Sequence, residues 1–163
     1  GNWLRKTYSI FKINTNINKE ILPYNERTKT QLEYFLKRDN ISLTEKENSS
    51  VIKKIPVSDD NKNKFFSNKI IFFDLYSSTA NNVIVEAIKA NNPIIINRLE
   101  SVEAYLGKEY PLFYDELSEV TKFLERDDLI LKAVNYLKNL DKNKFSIENM
   151  IKNINNNLLN LNF

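Results

Sequence analysis

The stretch Lys69-Ile70-Ile71-Phe72-Phe73-Asp74-Leu75-Tyr76-Ser77-Ser78-Thr79-Ala80-Asn81-Asn82-Val83-Ile84-Val85-Glu86-Ala87-Ile88-Lys89-Ala90-Asn91-Asn92-Pro93-Ile94-Ile95-Ile96-Asn97-Arg98 decides the fold. Ile70 to Leu75 and Pro93 to Asn97 are short continuous apolar runs, the pattern of strands covered on both faces. Between them, Asn81 to Asn91 opens on small amide residues and continues as a mostly apolar helix. Two buried strands joined by a helix of about ten residues make a parallel βαβ unit, and hence an α/β layered sheet with helices on both faces. Ligands of such sheets sit outside the carboxyl ends of the strands, so the segments after Leu75 and after Ile96 are the ones to read for function.

Outward from this unit, Ser101 to Leu106 predicts a short helix closed by Gly107, and Leu112 to Tyr114 a short strand. Helices are expected over Glu116 to Arg126, Leu129 to Asn139 and Ser146 to Leu161, the last within a C-terminal segment, 141–163. On the other side, Ser50 to Val57 has the β-branched content of a strand, and Asp59 to Asn68 reads as a short helix carrying Phe65 and Phe66. Thr28 to Arg38 puts Leu32, Phe35 and Leu36 on one side of a helix. Leu4, Tyr8 and Phe11 suit a helical turn or two, with a strand over Tyr8 to Ile13 as the alternative. Asn14 to Asn25 and Asn40 to Ser50 read as loops.

Composition narrows the chemistry. The 163 residues contain no His and no Cys, which excludes a thiolate nucleophile, an imidazole base and a Cys/His zinc site from this chain. Glycine stands only at positions 1 and 107, so no glycine-rich phosphate loop can be written. A net charge of +3, with lysines scattered among acids, does not make a nucleic-acid footprint. No apolar run approaches the roughly 18 residues of a membrane span, and no signal-peptide pattern opens the chain, so a cytoplasmic setting is expected. The length suits a single domain over 1–163. The opening Gly1-Asn2-Trp3, with the only Met at position 150, suggests a piece of a longer protein. Asn, Lys and Ile together make 62 residues, a bias of A/T-rich codons that concerns origin rather than mechanism.

At the first strand end, Ser77 to Asn82 either caps the following helix or offers its free N–H groups to an anion. On that helix Asn82, Glu86 and Lys89 share one narrow stripe. Glu86 either faces water beside Lys89 or accepts two hydrogen bonds from a vicinal diol such as a ribose. At the second strand end, Arg98 either forks onto a phosphate or pairs with Glu100 or Glu103. Glu103 itself reads as a solvated residue or a hinge-side contact.

Asp74 to Glu86, Asn91 to Arg98, Val102 to Gly107 and Tyr110 to Phe113, in this order, resemble the donor-binding half of a GT-B glycosyltransferase over roughly residues 50 to 140. The nearest likeness is to such enzymes of large DNA viruses and some bacteria. The opening Gly1 to Lys6 is similar to the loop after the first strand of that half. The resemblance implies a Rossmann-like domain that binds a nucleoside diphosphate sugar as substrate, without a resident cofactor or metal. It implies that Glu86 binds the ribose, that Ser77, Ser78, Asn81 and Asn82 approach the sugar and diphosphate, and that Arg5 or Lys6 neutralises the leaving diphosphate. In the resemblance Glu86 matches the second glutamate of the family's glutamate, seven residues, glutamate motif; Ser78 stands where the first would fall, and Ala90-Asn91-Asn92 replaces the usual glycines. The acceptor base would come from an acceptor-binding domain of the same parent chain. The alternative function is a non-catalytic Rossmann-like interaction or structural module; a phosphate-signalling domain is the weakest fit, because Asp59, Asp60 and Asp74 do not form the required acidic cluster.

Overall fold

A computed structural model describes residues 8–13, 15–17, 19–20, 26–45, 68–77 and 81–159. The centre is a three-stranded parallel sheet of β1 (Ile71–Phe73), β2 (Ile94–Asn97) and β3 (Phe113–Tyr114), in sequential order. Helix α1 (Glu26–Arg38) precedes the sheet, α2 (Asn82–Lys89) joins β1 to β2, and α3 (Glu100–Leu106) joins β2 to β3. Helices α4 (Leu117–Leu124), α5 (Asp127–Asn139) and α6 (Ile147–Leu159) follow. The chain is therefore an α/β protein with a small open parallel sheet. The expected strand over Ser50 to Val57 and almost all of the expected helix over Asp59 to Asn68 lie outside the described residues.

The middle strand forms where the sequence is most apolar. Ile94, Ile95 and Ile96 are buried, and they meet Ile71, Phe72 and Phe73 of β1 one for one. Ile96 and Asn97 meet Phe113 and Tyr114 on the other side. Each buried isoleucine removed to alanine would cost about 2–5 kcal/mol, so β2 anchors the domain. Along the run Ile70 to Leu75, Ile71, Phe72 and Phe73 are half-buried and packed against the core, and among the described residues β1 pairs on one side only. Leu75, beyond the ladder, is the buried member of the run.

The connecting helices bury one side each. In α2, Ile84, Ala87 and Ile88 enter the core, while Val83 stays 41% exposed on a helix that its composition alone would bury almost entirely. Helix α3 contributes Val102 and Leu106 and ends on Gly107 at φ +83, where a side chain would be strained. At the start of α4 the Glu119 carboxylate reaches back to accept the Asp115 N–H at 2.8 Å and the Glu116 N–H at 3.1 Å. Tyr110, T-shaped to both Phe113 and Tyr136, accepts the Ile94 N–H on its hydroxyl at 2.7 Å.

A second, smaller core lies at the N-terminal side. The region over Trp3 to Ile13, as far as it is described, is a 3₁₀ helical turn, Tyr8–Lys12, and not the alternative strand. Tyr8 and Phe11 pack with Leu32 and Leu36 of α1. Asp39, just after α1, accepts hydrogen bonds from Tyr8, from Lys12 at 2.9 Å and from Arg38 at 2.6 Å. At the other end, α6 leaves Ile147, Ile151 and Ile154 exposed. No described helix is long and apolar enough to cross a membrane.

Candidate functional site

The carboxyl edge of β1 and β2 is assembled by side chains that replace a missing ladder. After Phe73 the two strands stop exchanging backbone bonds, and the N–H and C=O of Leu75 turn to the Asn97 side chain. The Leu75 N–H donates to Asn97 Oδ1 at 2.7 Å, and Asn97 Nδ2 donates to the Leu75 carbonyl at 2.8 Å. From the far strand the Tyr114 hydroxyl donates to the Phe73 carbonyl at 2.9 Å, and its ring stacks on Phe72. Burial, with the Asp74 carboxylate close by, pushes the Tyr114 phenol well above its ordinary range, so it stays a neutral donor. Ser9 donates to Asp74 at 3.3 Å and ties the N-terminal turn to the same edge.

From Leu75 the chain runs through exposed Tyr76 and Ser77 toward α2. Asn81 is the N-cap, with extended backbone, and its side-chain oxygen accepts from the Val83 N–H at 3.1 Å and the Ile84 N–H at 3.3 Å. The capping reading of Asn81 is thus realised, and its oxygen is committed to two of the helix's free donors. Asn82 is exposed at the first helical position. Glu86 is half-buried one turn further along.

Arg98 follows β2 directly, and its N–H bonds the Tyr114 carbonyl at 3.0 Å. Its guanidinium lies over the Phe113 ring, 4.6 Å from the centroid, and donates to Glu103 at 2.6 Å. Asp115 stands 3.9 Å from its Nε. Of the pairings open to Arg98, the one with Glu103 is formed. With two carboxylates around one guanidinium, an incoming phosphate must compete with a partner already in place.

Of the expected site residues, Ser77, Asn81, Asn82 and Arg98 share one edge of the sheet, with Glu86 a turn behind it on α2. Arg5, Lys6 and Ser78 lie outside the described residues. Asn97 and Tyr114 were missed as positioning side chains. Both look like ordinary strand-end residues in sequence, and their bonds to Leu75 and Phe73 are set by where the β1–β2 ladder ends. Among the described residues no group of three or more acidic side chains is placed to hold a metal. Comparison with protein-family models, with curated proteins and with solved structures gave no match.

Proposed function

We propose that this chain is the nucleotide-sugar-binding domain of a glycosyltransferase, one half of a GT-B pair, in which a sugar passes from a nucleoside diphosphate to an acceptor hydroxyl. The observation that carries the reading is the β1-α2-β2 unit. A parallel strand pair leads into a capped helix start at its carboxyl edge, and one acid, Glu86, stands half-buried on that helix. In this reading the ribose diol donates to Glu86, and Ser77 and Asn82 face the diphosphate at the helix start that Asn81 caps. Charge on the leaving diphosphate is stabilised by fixed dipoles and basic side chains, an electrostatic mechanism that needs neither His nor Cys. The acceptor and its base belong to a second domain of the parent chain.

Titration of the 163-residue chain with UDP, GDP and their sugars tests the proposal. Saturable binding is expected for one nucleotide series, weakened at least about tenfold in Glu86→Ala, because a doubly hydrogen-bonded carboxylate contributes about 1.5–3 kcal/mol. Absence of saturable binding contradicts it. The second reading, a Rossmann-like module without a ligand, is favoured by one observation: Arg98 is already paired with Glu103. Under that reading no nucleotide binds and Glu86→Ala changes nothing.

A further inference from the structure

We infer that Asn97 is the positioning residue of the proposed donor site, acting through the Leu75 backbone; the inference rests on the function proposed above. Its basis is a local failure of the sheet. The β1–β2 ladder ends at the Phe73–Ile96 pair, yet Leu75, two residues on, is buried at 7% exposure with a backbone donor and acceptor to satisfy. Asn97 answers both from a single side chain, at 2.7 and 2.8 Å. The amide thus stands where another strand's peptide group would be, and it holds the two strands together at the edge where the ladder stops.

Few side chains can do this. The task needs a donor and an acceptor on one planar group, at the reach of one methylene. Asp has the reach but no donor when ionised; Gln has both atoms but one methylene too many; Ser cannot supply the planar pair. From the fixed Leu75 the chain goes on to Tyr76 and Ser77 and arrives at Asn81, the cap of α2. The direction in which the chain leaves β1 into Tyr76 and Ser77 is therefore set by Asn97, which need not touch the ligand. Tyr114, whose hydroxyl donates to the Phe73 carbonyl two residues earlier, holds the same stretch of chain.

Amide hydrogen exchange and nucleotide titration on the full 163-residue chain test the inference, with UDP and GDP as probes and Asn97→Ala and Asn97→Asp as variants. Exchange at the Leu75 amide is expected to speed at least tenfold in Asn97→Ala, while Ile95 and Val102 amides keep their protection. Asn97→Asp keeps an acceptor for that N–H, so it retains most of the Leu75 protection and serves if the alanine variant does not fold. Affinity for the nucleotide bound by the wild type is expected to fall at least tenfold in Asn97→Ala, measured well below its melting temperature. A purely structural side chain would lower the melting temperature and leave that affinity alone. Unchanged Leu75 exchange, or faster exchange with unchanged affinity, overturns the positioning role and leaves the donor site standing. If the wild type binds neither nucleotide, the donor site falls, and the role of Asn97 in it falls too.

Discussion

Gly107 shows how much one position can hold. Its backbone, at φ +83 and ψ 151, lies in a region that essentially only glycine occupies. A Cβ built there would stand 2.5 Å from the Tyr136 hydroxyl, which donates to the Leu106 carbonyl at 2.8 Å. Gly107→Ala therefore meets two penalties, a strained backbone and a displaced hydrogen bond. Together they are expected to cost about 3 kcal/mol, or roughly 6–12 °C in melting temperature, read by urea and thermal unfolding. Adding Tyr136→Phe removes the clashing hydroxyl but restores neither the Leu106 hydrogen bond nor an unstrained backbone, so little of the loss should return. A single-variant loss below about 1 kcal/mol would contradict the account. The helix-ending role of this glycine is legible in the sequence, because Gly107 directly follows a short apolar-periodic segment. The roles of Asn97 and of the Arg98–Glu103 pair are not legible in the same way. A side chain that imitates a backbone, or one of two nearby acids that wins an arginine, is chosen by the positions of strands rather than by spacing along the chain.

At the scale of elements, the apolar side located α1 and α2, a continuous apolar run located β2, and the closing Gly107 located α3, each within a few residues. Apolar content did not report exposure equally well: the residues of β1 read like those of β2, yet β1 is half-buried where Ile94 to Ile96 are buried. The pairing of the N-terminal 3₁₀ turn with α1 was not visible either. It depends on Asp39, one residue past the helix, which accepts from Tyr8 and Lys12 of the turn and from Arg38 of the helix. These three donors, Arg38 foremost, hold the Asp39 carboxyl well below its ordinary value of 3.8. Because the folded-state pKa is the lower one, the contribution is fully present above the ordinary value and is lost as pH falls toward the folded one. Asp39→Asn is expected to lower stability relative to wild type by a constant amount above about pH 5, with the gap shrinking as pH falls below about 4. Denaturant unfolding across that range reads it, and a gap that widens with acid would contradict the assignment.

For the whole molecule, the features that bear on function converge on one edge of one small sheet. Tyr114 and Asn97 fix where β1 ends, Asn81 fixes where α2 begins, and Glu86 stands behind that start. The N-terminal cluster of Tyr8, Phe11, Leu32 and Leu36 reaches this edge through Ser9 and Asp74. The exposed isoleucines of α6 belong to neither core. The proposal is thus one of place: that a nucleoside diphosphate binds at the carboxyl edge of β1 and β2. Amide chemical-shift mapping of the nitrogen-15-labelled chain, titrated with UDP and with GDP, tests it most directly. The expected result is saturable shifts at Leu75 to Ser77, Asn81 to Glu86, Asn97 and Arg98, with α1 unmoved. No saturable shift with either nucleotide, or shifts confined to α1 or to the opposite edge at Lys69, Asn91 and Asn92, would contradict it.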